Sequence, residues 1–147
     1  MTPSLPTILM GQVISLSAPA PPEASGDYAV SRGGMVAMLL MLSAQEAERG
    51  PAARAWENGA LRALLAEAAG GYDEALGGAL SAAAGVTDGD CGWSALDAAN
   101  ADLRRRLIAL HEAAEARHDA GLQRRILDLY VEMAKARHVD LPGPAAG

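Results

Sequence analysis

Phenylalanine is absent from this sequence, cysteine occurs once, and valine and isoleucine together supply only ten residues. That shortage of β-branched and aromatic side chains argues against all-β and parallel α/β architectures, which build their strands from those types. The single Cys91 cannot close an intrachain disulfide and has no partner for a Cys-x-x-Cys redox or zinc motif, as in a reducing, cytoplasmic setting. No lysine or arginine precedes Arg32. A secretory signal needs a positive start, so the apolar stretch Ile8–Leu16 with Ala18-Pro19-Ala20 behind it is not expected to direct export. Long apolar runs are missing too: the strongest, Gly33 to Ala44, covers 12 residues, against the roughly 20 that span a bilayer. No transmembrane segment is expected, and this stretch reads as the central helix of a core.

What is present in quantity is alanine, 33 residues, and leucine, 19 of 147. Both lead the helix scale, which makes the chain all-α. Acidic residues outnumber basic ones 18 to 12, a net charge of −6, so phosphate neutralisation, and with it nucleic-acid binding, is not expected of the chain. Arg104, Arg105, Arg106, Arg124 and Arg125 could form a basic patch. Asp102 with Arg105 or Arg106, and Arg124 with Asp128, however, have the spacing of ordinary helix-surface ion pairs.

Five of the eight prolines fall in the first 22 residues, so residues 1–26 read as an extended, Pro-rich N-terminal arm. Its apolar middle (Ile8, Leu9, Val13, Ile14 and Leu16) is the expected partner-binding surface. Residues 27–138 form the helical domain, an antiparallel four- to five-helix bundle, and 139–147 a flexible C-terminal tail. A first helix runs from Asp27 to Arg49. Gly50-Pro51 then ends it and starts a second, because glycine suits the residue after a helix and proline its first turn. The second helix reaches Ala69 with Trp56, Ala60, Leu64 and Ala68 along one stripe, widened by Leu61 and Leu65. A weaker helix covers Asp73 to Ala84, and Gly85 to Gly92 is an exposed loop. Ser94-Ala-Leu-Asp97 resembles a capping box. The helix it opens carries Leu96, Leu103, Leu107, Leu110 and Ala114 on one face. Continuing that stripe would bury Arg117, Arg124 and Asp128, so the chain must turn around His118–Gly121. Asp119 caps a last helix with Leu122, Ile126, Leu129, Met133 and Ala136 inward.

Sites of chemistry are few. His111, Glu115 and His118 stand at i, i+4 and i+7, and Glu115-x-x-His118 is half of a carboxylate-bridged diiron pattern whose other half is missing. They are the candidate metal ligands; a polar border to the core stripe is the plainer reading. Asp88-x-Asp90 lacks the remaining positions of a calcium loop. Cys91 has no base partner identifiable in the sequence. No nucleophile elbow, P-loop or dinucleotide fingerprint occurs, and no catalytic residue or cofactor is assigned. Met35, Met38 and Met41 with Trp56 and Tyr130 could line an apolar or haem pocket, although ordinary core packing explains them. Asn58-x-x-Leu61-Arg62 and Asn100-x-x-Leu103-Arg104 echo one another. Pairing of two helices through these asparagines is one reading, exposed side chains the preferred one. The expectation is a non-catalytic helical interaction or assembly module, with a protein partner or self-association. A small-ligand or metal-binding bundle is the alternative.

Overall fold

A computed structural model describes residues 5–17 and 26–140. The described backbone consists of helices and loops, the all-α class that the composition dictates: α1 (Leu5–Ser17), α2 (Gly26–Ala69), α3 (Glu74–Gly85), α4 (Trp93–Ala116) and α5 (Ala120–Ala136). It divides into two compact units, one drawn from Met1–Gly50 and Val139–Gly147, the other Pro51–His138.

In the first unit the expected extended arm is corrected, since its described part is the helix α1. Pro6 lies in the first turn, where the missing N–H has no helical acceptor in any case. From Thr7 to Ala18 the chain is free of proline, which is room enough for three turns. Gln12 Nε2 of α1 donates to Ser43 Oγ of α2 at 3.1 Å, and Arg32 of α2 donates to the carbonyl of Ser15. Partners fall from 43 to 32 on α2 as they rise from 12 to 15 on α1, so the two helices run antiparallel. The C-terminal segment is fastened at its start: Asp140 N donates to Gln45 Oε1 at 2.9 Å, and its carboxylate lies 3.2 Å from Arg49. The rest of the expected flexible tail, 141–147, lies outside the described residues.

The expected helix end at Gly50-Pro51 is also corrected, because α2 runs through it. A glycine C-cap needs a left-handed backbone, and no described glycine has positive φ. Pro51 has no N–H and so leaves the Ala47 carbonyl without its helical donor.

The second unit is a helical bundle of the Pro51–Ala69 part of α2 with α3, α4 and α5. Its core gathers Leu61, Leu64 and Leu65 of α2, Leu80 of α3, Leu103, Leu107, Leu110 and Ala114 of α4, and Leu122, Ile126 and Met133 of α5. The α4 and α5 faces are the expected ones. On α2 Leu61, Leu64 and Leu65 face inward as expected, but Trp56 is exposed, and one turn earlier the inward face is made of Arg54, Glu57 and Asn58. Asp73 caps α3 by accepting from Leu76 N at 2.9 Å. Gly77 is required by close approach, since a Cβ there would stand 2.5 Å from the Ala69 carbonyl oxygen. The capping box at Ser94 is not formed. α4 begins two residues earlier, at Trp93 behind Gly92, which offers no side-chain cap, and Asp97 turns instead to Arg54.

The α4–α5 hairpin forms where the stripe argument places it. Asp119 Oδ1 accepts from Leu122 N at 2.9 Å, and His118 takes a left-handed φ of 54°. A β-carbon in that conformation costs roughly 1 kcal/mol. His118→Gly is expected to raise stability by about 1 kcal/mol, read as a higher thermal midpoint with an unchanged helical spectrum.

Candidate functional site

Two features go beyond ordinary packing: a buried polar cluster in the second unit and an exposed apolar surface in the first. Burying charge is costly unless each charge is paired. On the inward face of α2 the spacing 54, 57, 58, 61 brings one arginine, one glutamate and one asparagine to a helix side that continues as leucine. Glu57 and Asn58 are fully buried, and Arg54 and Asn100 nearly so.

Each of these groups is met by another. Both carboxylate oxygens of Glu57 accept from the guanidinium of Arg137, the C-cap of α5. Asn100 Nδ2 donates to Glu57 Oε2 and to Asn58 Oδ1, both at 3.0 Å, while Asn100 Oδ1 accepts from Arg137 at 3.0 Å. Asn58 Nδ2 reaches the Leu96 carbonyl at 3.3 Å and Asp88 Oδ1 at 3.2 Å. Arg62 grips Asp88 with both terminal nitrogens at 3.0 and 2.6 Å. Arg54 pairs with Asp97 and lies 5.3 Å from the Trp93 ring centroid. Three arginines thus balance three carboxylates, and their hydrogen bonds join α2, the α3–α4 loop, α4 and the end of α5. Such a network fixes register, because any slip of one helix strands a buried charge.

The two echoing asparagines therefore do meet, contrary to the preferred reading of exposed side chains. The sequence reading missed Arg54, Glu57, Asp97 and Arg137. Its signal was present in the polar residues that interrupt α2 at helical spacing with Leu61, where a stripe through Trp56 looked chemically safer.

Arg62 holds the Asp88 carboxyl below its usual range, chiefly through the two hydrogen bonds; burial pushes the other way, and charge attraction and Asn58 add to the lowering. The same pairing raises Arg62. A carboxylate depressed in the folded state contributes stability at pH values above its unfolded range, and that contribution is lost as pH falls through the folded value. Asp88→Asn is expected to cost about 1–3 kcal/mol at neutral pH and to flatten the loss of stability below the ordinary carboxylate range, as read in urea titrations across pH.

The candidate metal ligands do not gather. His111 Nε2 lies 3.8 Å from Glu115 Oε1, within an i, i+4 pair on α4. His118 stands beyond the helix end in its left-handed turn. No group of three or more His, Cys, Asp or Glu among the described residues is placed to hold a metal. Asp88 is taken up by Arg62, Asp90 accepts from Gly92 N at 2.7 Å, and Cys91 is exposed. The surface arginines pair as their spacing implies: Arg105 with Asp102 at 3.0 Å and Arg124 with Asp128 at 3.4 Å, while Arg125 pairs with Glu67. An open cleft of about 780 Å³ lies between the end of α2 and the α4–α5 turn. Its Arg117 stacks 4.6 Å over the Tyr72 ring and donates to the Gly71 carbonyl.

The second feature is apolar. The central-core reading of Met35–Leu42 is corrected: Met35, Met38 and Leu40 are exposed, and Val36, Leu39, Met41 and Leu42 are half-buried. A helix apolar on every side cannot be covered by one neighbour, and α1 covers only the side bearing Ser43. Of the five expected partner-binding residues, Ile8 is buried, whereas Leu9 and Ile14 are exposed, as is Met10 between them. The Val13 and Leu16 side chains lie outside those described. α1 carries no charged residue, and neither does Gly33–Ala44. No helix among the described residues is long and apolar enough to cross a membrane.

Comparison of the chain with known protein families, with curated proteins and with solved structures returns no match.

Proposed function

We propose that this chain is a non-catalytic helical interaction module that docks another protein surface through its α1–α2 hairpin. The observation that carries the reading is that six large apolar side chains, Leu9, Met10, Ile14, Met35, Met38 and Leu40, stay exposed on two segments free of charge. Exposed apolar residues are ordinary singly; six of them on two neighbouring uncharged helix segments favour an interface. The polar cluster of the second unit supports the reading from the other side, because its charges are spent on one another.

The test compares the native chain with Met35→Glu and Met38→Glu, each checked for an unchanged helical spectrum. Docking through the hairpin predicts that the native chain self-associates or retains a protein from its native extract, and that both variants lose that association. A native chain that neither associates nor retains anything the variants fail to retain overturns the reading.

A further inference from the structure

The chain has two asparagines, and both lie in the buried cluster of the second unit. Asn58 is followed by glycine, Asn100 by alanine. Asparagine before glycine is the most reactive setting for deamidation, because a residue without Cβ leaves its main-chain nitrogen open to the preceding side chain. We propose that Asn58-Gly59 is a deamidation site that the folded second unit keeps closed, and that its reaction in the unfolded chain makes unfolding of that unit irreversible.

The step is a hydrolysis. The Gly59 nitrogen attacks Cγ of Asn58, the bond from Cγ to Nδ2 breaks, and ammonia leaves a cyclic imide behind. Water then opens the ring at either carbonyl, giving aspartate or, with the main chain rerouted through Cβ, isoaspartate. Water enters and ammonia leaves, with no other reactant.

In the folded chain both reacting groups are held. Gly59 lies inside α2, where its N–H is committed to the carbonyl four residues back. Asn58 is fully buried. Its Oδ1 accepts from Asn100 at 3.0 Å, and its Nδ2 donates to the Leu96 carbonyl at 3.3 Å and to Asp88 at 3.2 Å. Ring closure requires both the helix and these bonds to open.

The same bonds make the cluster intolerant of the products. An aspartate at 58 has no proton for the Leu96 carbonyl, and it sets a carboxylate beside Asp88 where Arg54, Arg62 and Arg137 already balance Asp97, Asp88 and Glu57. Isoaspartate adds a carbon to the main chain in mid-helix, which throws Glu57 and Leu61 out of register with one another. Gly59 itself is exposed, and a Cβ there would meet nothing within 4 Å. Packing does not require the glycine, so Gly59→Ala removes the reactive pair and strengthens the helix.

The test incubates the full chain at mildly alkaline pH, with and without guanidinium chloride above its unfolding midpoint, and follows each asparagine by peptide mapping in a mass spectrometer. Asn58 is expected to deamidate at least about tenfold faster in the unfolded chain than in the folded one, and faster than Asn100 in the same unfolded chain. After dilution from denaturant, the fraction that fails to regain the native unfolding midpoint is expected to match the fraction deamidated at Asn58. Gly59→Ala is expected to keep the helical spectrum, to deamidate at least about tenfold more slowly when unfolded, and to refold fully after the same incubation. Asn58→Asp is expected to lower the midpoint without any incubation. Deamidation at Asn58 as fast in the folded chain as in the unfolded one overturns the inference. So does a deamidated or Asn58→Asp chain with the native midpoint, or a Gly59→Ala chain that loses its refolding yield at the native pace.

Discussion

Arg137→Met is expected to be the most damaging single change in the second unit, lowering stability by about 3–5 kcal/mol. It leaves the Glu57 carboxylate, fully buried, with only the Asn100 amide as its donor. The damage arises from the stranded charge, so neutralising that charge should repair it: Glu57→Gln added to Arg137→Met is expected to recover at least half of the loss, where two independent losses would add. Urea unfolding of the four chains in a double-mutant cycle measures this. Equal additive losses would mean that the pair is not coupled.

Leu107→Ala is the second large effect, with an expected loss of about 2–5 kcal/mol. Leu107 is fully buried and belongs to the cluster that joins α2, α3, α4 and α5. Truncation there removes packing on several helices at once, and the surrounding leucines cannot all move into the space. Its neighbour Ile108 is 53% exposed; Ile108→Ala is expected to stay within about 0.5 kcal/mol. The contrast between adjacent residues, read in the same denaturant series, tests the α4 face directly.

The helical class was legible because alanine and leucine leave few strand formers, and the α4–α5 hairpin because continuing the Leu96–Ala114 stripe would have buried Arg117 and Arg124. In both cases the tertiary contacts agree with what local composition and periodicity prefer. The helix end at Gly50-Pro51 was not legible, since glycine and proline weaken a helix without forbidding it, and α2 carries both. α1 was hidden by the prolines around it, which limit the length of a helix without forbidding one. The cluster was hidden for another reason. Glu57 and Arg137 lie 80 residues apart, and a buried glutamate becomes reasonable only once its partner is known. Asn58 and Asn100 gave a visible hint through their shared setting, yet a pattern of five residues recurs easily in an Ala-, Leu- and Arg-rich chain. The exposed apolar residues were legible only in part: Leu9 and Ile14 of α1 are exposed, and so are Met35 and Met38, which the sequence pattern assigns to the core.

The 80-residue separation of Glu57 and Arg137 also bears on the order in which the second unit forms. α4 and α5 are joined by a turn of three residues, so their leucine faces meet early, at little cost in chain closure. The clasp between α2 and the end of α5 is expected to close last, after the rate-limiting step. Loss of Arg137 should then leave the refolding rate nearly untouched and appear almost wholly as faster unfolding, which makes this buried ion pair a determinant of how long the folded state lasts.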